Sequence, residues 1–69
     1  MTISEKIRMV TKRNNMTITA LASGMGISRQ YLARKLNNNE FTLKELEKIA
    51  EVTGCSVEYT FVTSNGERL

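Results

Sequence analysis

The chain reads as a mainly α fold: four short helices followed by a C-terminal β-strand or hairpin. Three observations predict it. Thr2 with Glu5, and Thr42 with Glu45, repeat the spacing of a capping box, in which a hydroxyl and a carboxylate satisfy each other's backbone amides at a helix start. Gly26 and Gly54 each close an amphipathic run, where a helix ends in a left-handed residue. Beyond Gly54 the pattern changes from helical spacing to strict alternation.

The first helix is expected from about Ile3 to Asn14. Ile3, Ile7 and Val10 share one face, and Lys6, Arg8, Lys12 and Arg13 occupy the rest. Asn14 and Asn15 end it, because asparagine favours caps and turns. Thr17 is the N-cap expected for the second helix, which turns Leu21, Ala22 and Met25 inward and stops at Gly26. Ser28 caps a third helix reaching about Asn37. Its inward residues are Leu32 and Leu36, with Tyr31 and Lys35 at the margin and Arg29, Gln30, Ala33 and Arg34 outward. Asn37, Asn38 and Asn39 are expected to form a loop. Leu43, Leu46, Ile49 and Ala50 give the fourth helix its apolar stripe. From Ser56 to Thr63, Val57, Tyr59 and Phe61 alternate with polar residues, which predicts a strand. Asn65-Gly66 is a strong hairpin-turn signal, with Glu67, Arg68 and Leu69 as the return arm. Residues 1–55 are thus one helical domain and residues 56–69 an appended strand or hairpin.

Composition narrows the function. The 69 residues include one cysteine and no histidine, which excludes an internal disulfide and leaves almost no ligands for a structural zinc. Cys55 is expected to be an inert buried thiol. No apolar run approaches the roughly 20 residues a membrane helix requires, and no signal-peptide segment opens the chain, so a reduced, cytoplasmic setting is expected. An enzyme is not expected: the lone thiol has no evident base, and there is no phosphate-cradling glycine loop. No cofactor or metal is expected. The charge is asymmetric. Residues 1–36 hold seven basic side chains against Glu5 alone, whereas residues 37–69 hold three basic against six acidic. A basic half of this kind suits a polyanionic partner, although many soluble proteins carry a solvated basic face.

The informative segment runs from Met16 to Leu36. Two short helices joined by a glycine-containing turn of about three or four residues pack steeply against each other. That packing needs a small residue where the axes approach, a residue tolerant of positive φ in the turn, and apolar anchors around it. Ala22, Gly26, and Leu21, Ile27 and Leu32 supply these in order. The segment resembles the helix-turn-helix of the Cro and phage-repressor type, also called the xenobiotic-response-element family. The resemblance is carried by Met16-Thr17, Leu21-Ala22, Met25 to Arg29, and Leu46 to Gly54, and it covers about residues 3–56. It implies a cytoplasmic, sequence-specific DNA-binding regulator of transcription, usually a dimer on a palindromic operator. Two positions depart from the family. Ile18 stands where a glutamine commonly helps fix the DNA backbone, and the alternating segment replaces the usual fifth helix.

In such a motif the start and outer face of the third helix enter the major groove. Arg29, Gln30 and Arg34 are the candidate base contacts, since arginine matches the guanine O6/N7 edge and glutamine the adenine N6/N7 edge. The alternative for each is a solvated polar face. Tyr31 is a further candidate, for a thymine methyl or a phosphate, or else a cover for the core edge. Thr17, Ser28, Lys35, Asn38 and Asn39 are candidate backbone contacts, with a plain turn as the alternative for the asparagines. Lys6, Arg8, Lys12 and Arg13 are expected to add long-range field, and Lys44 and Lys48 to be ordinary helix-surface charges. Val57, Tyr59 and Phe61 are the candidate dimer interface, through antiparallel pairing of two Ser56–Thr63 strands. An exposed apolar strand edge invites pairing with another chain; packing on the fourth helix is the alternative. The competing function is an antitoxin-like interaction protein that offers this strand to a toxin or other partner.

Overall fold

The computed structural model describes all 69 residues. It contains four helices: α1 (Ile3–Arg13), α2 (Ile18–Met25), α3 (Arg29–Asn38) and α4 (Leu43–Thr53). Local chemistry sets each boundary. Both capping boxes form: Thr2 with Glu5 opens α1, and Thr42 with Glu45 opens α4. Thr17 and Ser28 cap α2 and α3, their hydroxyl oxygens accepting from the Ala20 and Tyr31 amides at 3.0 Å each. Gly26 ends α2 with φ of 75°, a left-handed conformation open to glycine without steric cost.

α2 lies centrally, packed on α3 and α4, while α1 packs on α2 and α4. Ile7, Leu21, Ala22, Leu32, Leu36 and Ile49 form the buried core. Ile18, Phe41 and Val52 pack around it, half-buried. Ile18, the first residue of α2, thus makes an apolar contact with the core. Gly24 faces α4 closely: a Cβ built there would stand 2.7 Å from Val52 Cγ1.

Three buried hydroxyls are satisfied by helix carbonyls. Thr11 donates to Ile7 O at 2.7 Å, Thr53 to Ile49 O at 2.8 Å, and Ser4 to Leu36 O at 2.6 Å. The first two are bonds within a helix, four residues back. The third joins α1 to the end of α3.

Three expectations are corrected. The asparagine run is not a loop. Asn37 and Asn38 complete α3, and Asn39 takes the left-handed cap position with φ of 53°, its amide donating to Leu36 O and Lys35 O. Asparagine tolerates that conformation, and its side-chain oxygen gains a bond from the Ser4 amide at 3.1 Å. The expected C-terminal strand is not formed either. Ser56 to Thr60 run without a ladder partner, and the one β-type pairing is an isolated bridge between Val62 and Arg68. Around it, Phe61 and Leu69 exchange backbone bonds at 3.1 and 2.9 Å, and Gly66 turns the chain with φ of 89°. Alternation records which side chains prefer a common face; a strand also needs a neighbouring backbone, and this chain offers none to residues 56–60. Finally, Cys55 is exposed rather than buried, because Gly54, at φ of 73°, swings the chain off α4.

Candidate nucleic-acid interface

The first turn of α3 starts from the Ser28 cap, which commits one hydroxyl lone pair to the Tyr31 amide. The cap leaves the hydroxyl proton free to be donated outward, and the same holds for Thr17 at the head of α2. Arg29 and Gln30 follow immediately and are fully on the surface. Their amides belong to the unsatisfied first turn of a helix, which carries partial positive charge. Arg34, further along the helix, is also exposed, whereas Ala33 beside it is half-buried. Arg29 and Arg34 have no carboxylate partner: the ion pairs present are Lys35–Glu45 and Lys48–Glu51.

The marginal residues of α3 are tied back to the body. Lys35 Nζ lies 3.1 Å from Glu45 Oε1, with both side chains only about a fifth exposed (20% and 23%). The same ammonium stands 5.8 Å from the ring centroids of both Tyr31 and Phe41. Tyr31 donates its hydroxyl to the other Glu45 oxygen at 3.2 Å, and its ring lies 5.4 Å from the Arg34 guanidinium carbon. Glu45 also accepts from the Thr42 amide at 2.8 Å, the capping-box bond. That bond, with help from Lys35 and Tyr31 and against partial desolvation, holds the Glu45 carboxyl below its ordinary pKa.

The candidate residues therefore fall into two groups. Arg29, Gln30 and Arg34 are each exposed, with Thr17 and Ser28 at the starts of α2 and α3 and Asn38 exposed at the far end of α3. Tyr31, Lys35 and Asn39 instead have polar atoms engaged within the protein, on Glu45, Glu45 and Ser4 respectively. Sequence reasoning missed Glu45 as more than a cap. The i+3 spacing from Thr42 signals its capping bond, but nothing local signals Lys35, ten residues earlier, or Tyr31, fourteen earlier.

Helix α2, the Gly26 turn and α3 have the form of a helix-turn-helix, and a family model described as a Cro/C1-type HTH DNA-binding domain matches residues 6–58. The chain belongs to the Cro/C1-type family. No curated protein and no solved structure matches it. The matched residues include all of α2, the Gly26 turn and α3, and with them Arg29, Gln30 and Arg34. No helix is long and apolar enough to cross a membrane.

The C-terminal arm lies apart from this face. Val57 is half-buried and, with Tyr59, lines an apolar groove of about 280 Å³ whose other walls include Ile3, Ile7, Val10, Leu46 and Ile49 of α1 and α4. The later aromatic side chains are largely uncovered: Tyr59 is 61% exposed and Phe61 81%.

Proposed function

We propose that this Cro/C1-type domain is a sequence-specific transcriptional regulator that inserts α3 into the major groove. The carrying observation is that Arg29, Gln30 and Arg34 on α3 are all exposed, and that neither arginine is paired with a carboxylate. Arg29 and Arg34 read guanine edges and Gln30 an adenine edge. The Thr17 and Ser28 hydroxyls and the Asn38 side chain hold phosphates on either side of these residues. Lys35, Asn39 and Tyr31 contribute less directly, because Glu45 and Ser4 already engage their polar atoms. The regulatory outcome we favour is repression by occupying promoter DNA, in the cytoplasm.

Two copies act together in this reading. The uncovered Tyr59 and Phe61, with Val57, form the contact between subunits, and the motivating observation is the exposure of Tyr59 and Phe61. A two-fold dimer would set the recognition helices about one helical turn, roughly 34 Å, apart on a pseudo-palindrome. The same exposed arm is what favours the second reading, an antitoxin-like protein whose arm holds a toxin or other protein partner.

Selection of bound duplexes from a random pool tests the first reading. It should return a short palindromic site, bound with an affinity that falls linearly in log–log form with salt. Recovery of no preferred sequence would refute it. Recovery of a single unrepeated half-site, with a monomer in sedimentation, would refute the dimer alone.

A further inference from the structure

The Glu45 carboxylate receives three groups. The Thr42 amide and Lys35 Nζ meet Oε1 at 2.8 and 3.1 Å, and the Tyr31 hydroxyl meets Oε2 at 3.2 Å. The first anchors it to the start of α4, and the other two hold the side of α3. Because Thr42 fixes the carboxylate to a helix terminus, Tyr31 is held from a rigid point rather than from another flexible side chain. The Tyr31 ring in turn faces Arg34, whose guanidinium carbon lies 5.4 Å from its centroid. Arg34 is exposed and has no salt-bridge partner, so the ring is the one contact of this kind that restricts it.

From this geometry we infer that Glu45 and Tyr31 are positioning residues for DNA specificity: Glu45 fixes the Tyr31 ring, and the ring pre-sets the Arg34 guanidinium for its base. Neither needs to touch a base edge. An arginine that is already placed loses less rotamer freedom on binding, and its planar fork discriminates only when its orientation is set. Arg29 and Gln30 lie outside this chain of contacts, so their base positions should not depend on it. The inference rests on α3 being the reading helix.

The test compares base preference, position by position, on the selected duplex. Arg34→Ala first identifies the position that Arg34 reads. Tyr31→Phe keeps the ring but cuts the tether, and Glu45→Gln keeps a residue able to close the capping box while removing its charge. Each should lower discrimination at the Arg34 position by about 2- to 10-fold, the scale of one immobilised side chain, and leave the Arg29 and Gln30 positions unchanged. In an Arg34→Ala background the effect of either should vanish. Equal weakening at all positions, persistence in the Arg34→Ala background, or no change would overturn the inference. A failure of the underlying reading looks different: Arg29→Ala and Gln30→Ala would then leave every position unchanged. Thermal unfolding of Tyr31→Phe and Glu45→Gln, alone and with Arg34→Ala, separates misfolding from lost positioning, because misfolding moves all positions together.

Discussion

Ser4 and Asn39 are joined at opposite helix ends: the Ser4 amide in the first turn of α1 donates to Asn39 Oδ1 at 3.1 Å, just past the end of α3. The Ser4 hydroxyl donates in the same place to Leu36 O at 2.6 Å. One contact thus satisfies an orphan N–H of α1 and a late carbonyl of α3. It fixes the end of α3 to a helix remote in sequence. Ser4→Ala should leave the Leu36 carbonyl with only the longer 3.4 Å bond from the Asn39 amide and cost about 1 kcal/mol in denaturant unfolding. Asn39→Gly, which keeps the left-handed cap but loses the bond to Ser4, should cost less than Asn39→Ala, which loses both. An Asn39→Ala variant as stable as Asn39→Gly would show that the cap conformation is not under strain.

Gly24 should not tolerate a side chain. Its added Cβ would sit 2.7 Å from Val52 Cγ1, and valine cannot bend away as a long side chain would. Gly24→Ala should destabilise the fold by about 1–3 kcal/mol despite alanine's better helix propensity. Val52→Ala in the same chain should recover part of that loss. A more stable Gly24→Ala, judged by its melting temperature, would contradict the packing of α2 on α4.

Stability should fall with acid through two capping carboxylates. Glu5 is held below its ordinary pKa by the Thr2 amide, then by the Thr2 hydroxyl. Glu45 is held down chiefly by the Thr42 amide. For a depressed carboxyl the stabilisation is fully present above the unfolded-state pKa, about 4.3 for glutamate, and is lost as pH drops through the lower folded value. Unfolding followed from pH 7 downward should therefore show a loss beginning near pH 4–5. Glu45→Gln should flatten that dependence; an unchanged slope would deny the carboxylate its part.

Dimerisation through the arm predicts a specific variant. Phe61→Asp places a charge on a residue that is 81% exposed in the single chain, so it should leave monomer stability nearly unaltered. It should nonetheless shift sedimentation toward monomer and weaken binding to a two-half-site duplex far more than to one half-site. A dimer unmoved by Phe61→Asp and Tyr59→Asp would place the interface elsewhere.

Much of the helical body was legible because its signals are local. Thr2 with Glu5, Thr42 with Glu45, and Gly26 need only a few neighbouring residues to act, and each acts as its spacing foretold. The strand failed because Val57, Tyr59 and Phe61 state a preference that only a second backbone could fulfil. Asn39 deceived because its type suits a loop and a left-handed cap equally well. At the site, Arg29, Gln30 and Arg34 were placed on the outer face by helical spacing alone. The engagement of Tyr31 and Lys35 depends on where α4 brings Glu45, a tertiary fact with no signature in the recognition helix.

The most direct measurement is the affinity of this protein and its Arg29→Ala variant for the selected duplex and for single-base variants of it, at several salt concentrations. If α3 reads the major groove, Arg29→Ala costs about 1–3 kcal/mol and relaxes one base position while the others keep their preference. Equal affinity of the unaltered protein for selected and scrambled duplexes, or an Arg29→Ala profile identical to its own, would contradict it.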